Sequence, residues 1–258
     1  MESPEGLGNT FGRSWELLAG NWIMLVPGLV IGIVAAVIVF FVVGAGLVTG
    51  VGLGTVGAGG AGLGAAMMAG LVAALVMLVA MILTIAYTTG MAGAAWRTGR
   101  ATLDDGAAAF RKDGGSIMVA VVLLVLLGIV ALFVSGLLFF TFGLPLLLFV
   151  LFFMYTFASV IVGGHSGTEA LGDSARITTR NFLVTLLLLI LICVVAWVGA
   201  LVGGVFNHIP LLGRVVTLVI QQIVAVYATL VIVGEYIKLS RRPAAVAAPP
   251  SAGPPATY

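Results

Sequence analysis

His165 and His208 are the only histidines in the chain, and an imidazole can hold a metal or carry a proton near neutral pH. His165 follows the fourth apolar run and His208 separates the fifth from the sixth. In a chain that threads back and forth through a membrane, they finish on opposite faces and cannot share an ion. The single cysteine, Cys193, lies within an apolar run, so neither an intrachain disulfide nor a thiol cluster can form. The spacings His-Glu-x-x-His and Gly-x-Ser-x-Gly are absent, which leaves metal-dependent and serine hydrolysis without visible machinery. Gln221 and Gln222 remain. Their amides enter the sixth apolar run, where each needs a partner, and they are the candidate intramembrane polar site, either lining a cavity or bonding a neighbouring helix.

The stretch "DDGAAAFRKDGG" (104–115) resembles the Asp-Gly-x-x-Ala-Arg opening of the phosphotransferases that use CDP-activated alcohols, in which several aspartates hold divalent metal. Phe110 stands where that motif has arginine, and its later aspartates are missing. The residues thus argue against a metal-dependent transferase, and no cofactor is expected. Arg111 and Lys112 become candidate contacts for lipid phosphates, their apolar stems lying along the membrane while the charges reach out.

The elements that carry these residues follow from composition. Hydrophobic residues make up 62% of the 258, charged residues 8%, and mean hydropathy is +1.27, against roughly 25% charged in a soluble domain. Six stretches approach the roughly 20 residues a spanning helix requires: about 22–43, 65–88, 116–138, 144–163, 182–203 and 211–237. The expected fold is an all-α polytopic bundle over 1–240, followed by a disordered Pro/Ala-rich tail, 241–258, which holds five of the nine prolines.

Charge is sorted between the connections. Residues 1–21, 89–115, 164–181 and 235–258 contain all nine acids and ten of the eleven bases, the exception being Arg214. Arginine and lysine are retained inside during insertion, so both termini and both long polar loops are expected on the cytoplasmic side of the cell (inner) membrane. The first twenty residues carry Glu2, Glu5 and Glu16 against Arg13, unlike a cleavable signal.

Before each pair of spans stands an amphipathic segment. In "ALGDSARITTRNF" (170–182) the Ser166/Glu169 spacing predicts a capping box. Leu171, Ala175, Thr178 and Phe182 share one face, with Asp173, Arg176 and Arg180 off it. Such a helix lies on the membrane surface, Leu171 and Phe182 dipping into acyl chains while Arg176 and Arg180 meet headgroups. Gly12, Ser14, Asn21 and Trp22 occupy the places of Gly172, Ser174, Asn181 and Phe182. A middle copy starts with Thr102/Asp105 spacing and keeps Gly106, but has Ala108 and Gly115 for Ser and Asn. Three parallel units, each a surface helix plus a hairpin, are therefore expected. The Gly-rich segment 44–64, ten of twenty-one residues, reads as a pore-lining element, a closely packed helix extension or an exposed loop. Trp15, Trp22, Trp96 and Phe182 are expected to anchor helices at the inner surface.

At Ser174, Arg176, Thr178, Arg180 and Phe182 the chain resembles a broad group of bacterial and archaeal six-span proteins, which includes the membrane domain fused to some glycerophosphoryl diester phosphodiesterases. "FGRSWELLAGNWIMLVPGLV" (11–30) is similar to their opening. The resemblance implies a six-helix fold and no catalytic residue, since phosphodiesterase chemistry belongs to a separate domain. The expected role is that of a non-enzymatic scaffold, assembly factor or accessory subunit, with a permease or channel subunit as the alternative. Membrane lipids are the expected partners, with other membrane proteins or further copies of the chain alongside them, and nucleic acid is not.

Overall fold

Hydrocarbon offers no water to an open backbone, so an apolar chain of this kind folds as helices whose hydrogen bonds close within each segment. The computed structural model describes residues 6–54, 59–137, 143–206, 208 and 212–241. Among them the order is α1 (Leu7–Gly20), a 3-10 turn (Trp22–Met24), α2 (Leu25–Gly54), α3 (Gly59–Thr98), α4 (Leu103–Leu137), α5 (Leu144–Phe153), α6 (Thr156–Ile161), α7 (Gly167–Arg180), α8 (Phe182–Phe206) and α9 (Leu212–Ser240), with no strand. Six segments are long and apolar enough to cross a membrane: Trp22–Ala45, Ala66–Thr98, Leu103–Leu137, Leu144–Ile161, Phe182–Phe206 and Gly213–Ser240. The chain is an all-α, multi-pass membrane bundle.

Successive spans pair as hairpins, α2 with α3, α4 with α5, and α8 with α9. Each hairpin then receives a surface segment belonging to another. The opening turns of α4 pack on α3, α7 packs on α5 and α6, and α1 packs on α9. That exchange closes the three hairpins into a ring.

The buried core sits at one end of the ring. Leu18, Met24, Met91, Tyr155, Leu188 and Leu230 belong to one cluster, and Ala86, Ile117, Val160 and Ala170 to a second. Toward the far end, Phe40, Phe41, Met68, Leu132, Phe133 and Val205 turn outward. Acyl chains are as apolar as these side chains, so their exposure there carries no hydrophobic cost.

Surface segments one and three are discrete helices, and the middle one is not. α1 stops at Asn21 (φ −136°, ψ 54°) and α7 at Asn181 (φ −126°, ψ 39°). Each asparagine turns its amide back on the helix it ends, Asn21 Nδ2 donating to the Leu17 carbonyl at 2.8 Å and Asn181 Nδ2 to that of Ile177 at 3.1 Å. Gly115, at the corresponding place in the middle segment, has no side chain to compete for the backbone, and α4 runs unbroken from Leu103 to Leu137. Both expected N-terminal caps are present. Ser166 N–H donates to Glu169 at 3.1 Å, and Thr102 donates to Asp105 through both its N–H and its hydroxyl at 2.8 Å.

The fourth span, read from sequence as one run, is broken between α5 and α6. Ser174 Oγ donates to the Phe152 carbonyl at 2.8 Å and accepts from Tyr155 N–H at 3.2 Å, while Thr178 Oγ1 donates to the Leu151 carbonyl at 3.2 Å. These hydroxyls replace the helical bonds lost at the break. They also correct the expected orientation of α7: Leu171, Ser174 and Thr178 are buried against protein, and only Phe182 of the supposed acyl-facing set is exposed. The Gly-rich segment enters helices, with α2 continuing through Gly54 and α3 beginning at Gly59. α3 has 40 residues, a length of about 60 Å against the roughly 30 Å of a hydrocarbon layer. The tail from 242 to 258 lies outside the described residues.

Candidate functional site

The ring of surface segments brings polar side chains of three elements together at the packed end. Asp173 of α7 is the hub. Its Oδ2 accepts from Ser159 Oγ of α6 at 2.8 Å and from the Tyr236 hydroxyl of α9 at 3.3 Å, and lies 3.9 Å from His165 Nδ1. His165 Nδ1 in turn stands 3.0 Å from Ser159 Oγ and 3.3 Å from the Ser159 carbonyl. A carbonyl can only accept, so this geometry assigns the proton to Nδ1. A Cβ on Gly163 would come within 2.2 Å of the Tyr236 hydroxyl and 2.8 Å of His165 Nδ1. Only glycine lets the chain pass this close.

Serine, histidine and aspartate in mutual contact invite comparison with an acyl-transfer triad, but the proton order is different. A triad needs histidine to take the serine proton on one ring nitrogen while the carboxylate holds the other. In this cluster the serine hydroxyl donates its hydrogen bond to the carboxylate, one histidine nitrogen faces both partners, and Ser159 is fully buried. The cluster is a latch joining α6, the 163–165 turn, α7 and α9.

Glu235 is the second feature. The sequence put it at the end of the sixth span, near the membrane surface, yet its side chain is fully buried. Oε2 accepts from Thr10 Oγ1 of α1 at 3.1 Å and from Lys238 at 3.4 Å. Oε1 has no hydrogen-bond partner among the described residues. The Tyr155 hydroxyl, also unpartnered, faces Thr185 and the Glu235 carboxylate. Burial of an unpaired polar atom is costly, and two such atoms lie in this region.

Two cavities flank Arg97, the last basic residue of α3. One, of 280 Å³, is lined by Arg97, Lys112, Asp105 and Asp113 with Gly90 and Gly164. The other, of 370 Å³, is lined by Arg97, His165, Tyr236, Ser240 and Arg241 with Gly163. At the start of α7, the Ser166 hydroxyl and N–H hold the Glu169 carboxyl below the usual carboxylate range.

The residues singled out from sequence are dispersed. Arg111, Lys112, Arg176 and Arg180 are all exposed, and of these only Lys112 reaches a cavity described above. Gln221 is exposed. Gln222 packs between α2 and α3: a Cβ on Gly28 would lie 2.1 Å from its Oε1 and 3.2 Å from Thr84 Cγ2. That Oε1 is buried and without a hydrogen-bond partner among the described residues. Trp96 is a packing residue rather than an anchor, its Nε1 donating to the Leu230 carbonyl at 2.8 Å with Arg13 5.2 Å above the ring. Trp15 and Trp22 are exposed. Arg97, Ser159, Asp173, Tyr236 and the burial of Glu235 went unread, because they converge only once the ring closes.

Among the described residues no three His, Cys, Asp or Glu side chains gather as a metal-ligand set. The chain matches no protein-family model, no curated protein and no solved structure.

Proposed function

We propose that this protein is a non-enzymatic scaffold, assembly factor or accessory subunit of the cell (inner) membrane, working at the cytoplasmic leaflet with both termini inside. The observation that carries the reading is the commitment of its polar groups to joining elements. Ser159, Asp173 and Tyr236 bond one another across three helices, and Ser174 and Thr178 mend the broken fourth span. The charge sorting between connections supports the orientation. Kinship with the membrane domain fused to some glycerophosphoryl diester phosphodiesterases is part of the proposal. It rests on the sequence resemblance at Ser174, Arg176, Thr178, Arg180 and Phe182.

Reconstituted protein, offered a panel of phospholipids and peptides with no partner present, is expected to leave them intact; turnover of any of them removes the reading. Labelling of single cysteines introduced at 89–115, with Cys193 replaced, is expected from the cytoplasmic side only. The fully buried Glu235 favours a second reading, a permease or channel subunit, since a carboxylate inside a membrane domain commonly marks an ion or solute path. Solute flux into liposomes that is lost in Glu235→Gln would establish it.

A further inference from the structure

We propose that the 370 Å³ cavity between the ends of α3 and α9 is a binding site for a phosphate-bearing ligand, held by Arg97 and Arg241 with His165 beside them. The volume falls in the range of small-molecule sites.

Its lining includes two guanidiniums and an imidazole and no carboxylate. The acid–base contacts among the described residues, His165 with Asp173 at 3.9 Å and Lys238 with Glu235 at 3.4 Å, leave Arg97 and Arg241 out. Two guanidiniums on one concave wall repel each other until an anion lies between them, and phosphate oxygens match their forked donors. The hydroxyls on the wall already donate their hydrogen bonds elsewhere, Tyr236 to Asp173 and Ser240 to the Ile237 carbonyl. Donation to the ligand therefore falls to the cations, which selects an anion over a neutral polyol. The cavity on the other side of Arg97 supplies the contrast. There two carboxylates, Asp105 and Asp113, stand with Lys112 and the shared Arg97, so that wall carries no excess of positive charge and no anion is called for. The latch fixes the shape of the wall, since Gly163 admits no side chain beneath Tyr236 and His165.

A phosphate of this kind could belong to an anionic lipid headgroup or to a soluble phosphate, and one experiment separates the two. Full-length protein in neutral detergent is titrated with phosphatidic acid in mixed micelles and, separately, with inorganic phosphate, following the thermal midpoint and the lipid retained. Arg97→Ala/Arg241→Ala is expected to weaken binding about tenfold or more, given the strength of charge-assisted bonds to phosphate. Arg214→Ala, altering an exposed arginine at the opposite end of α9 and outside the cavity, is expected to bind as the parent does. Protection by micelles alone assigns a lipid headgroup, and equal protection by inorganic phosphate assigns a soluble ligand; both support the site. If the alanine pair folds poorly, Arg97→Lys/Arg241→Lys keeps the charge and loses the fork, and its binding is expected to fall between the two. Parent-like binding by the cavity variants, equal weakening by the exposed-arginine control, or protection by neither ligand would overturn the proposal.

Discussion

Glu235 concentrates the energetics of single residues. Its carboxylate is out of water, joined to Lys238 and Thr10 through one oxygen, with the other oxygen unpartnered among the described residues. Alanine loses the bonds to Thr10 and Lys238 together and leaves a cavity, at a cost of about 2–5 kcal/mol, while Lys238, 22% exposed, keeps access to water. Glu235→Ala is therefore expected to lower the denaturation midpoint in detergent sharply. Glu235→Gln keeps an acceptor for Thr10 and is expected to cost about 1–3 kcal/mol. Equal, small losses in both variants would show that the carboxylate is hydrated rather than buried.

At the scale of elements, α7 is held by its hydroxyls. Ser174→Ala frees the Phe152 carbonyl and the Tyr155 N–H at once, and an unmade buried bond costs about 1–3 kcal/mol. The expected result is faster amide exchange at 152–155 with α8 and α9 unchanged. The start of α7 has a pH signature. Because Ser166 lowers the Glu169 pKa below its unfolded value of about 4.3, the cap's contribution is complete above that value and is lost as pH falls through the folded one. Amide exchange in the first turn of α7 is expected to quicken below pH 4, and Glu169→Gln to flatten that dependence.

Elements of this kind were partly legible in the sequence. The Ser166/Glu169 and Thr102/Asp105 caps could be read because capping depends on neighbours within one turn, whereas Asn21 and Asn181 were aligned only as equivalent positions of a repeated segment. The break in the fourth span could not be read, since its cause, Ser174, lies 22 residues beyond Phe152. The missing separation of the middle surface segment was written in Gly115, whose lack of a side chain removes the stop. The candidate site was the least legible part. Arg97 and Arg241 are far apart in sequence, and both look like ordinary inside-positive charges until α3 and α9 end side by side.

For the whole molecule, the division between a packed end and an apolar, outward-facing far end predicts two classes of leucine. Leu230 is fully buried and Leu132 is 62% exposed. Leu230→Ala is expected to cost about 2–5 kcal/mol through the cavity it leaves, and Leu132→Ala little, because lipid replaces what it touched. Denaturation in mixed micelles separates the two; comparable losses would mean that the far ends are also packed.

Joining hairpins chiefly at one end gives the bundle the mechanics of a folding fan, with the rivet in the latch and the ribs running into oil. Ribs of unequal length, α3 above all, are expected to tilt when the surrounding layer thins, and to do so as hairpins, since Thr217 Oγ1 holds the Gly203 carbonyl at 3.0 Å and Leu146 N–H the Ser135 hydroxyl at 3.2 Å within their pairs. A thinner membrane is expected to splay the hairpins apart at their far ends while the riveted face, with its pair of arginines, keeps its form.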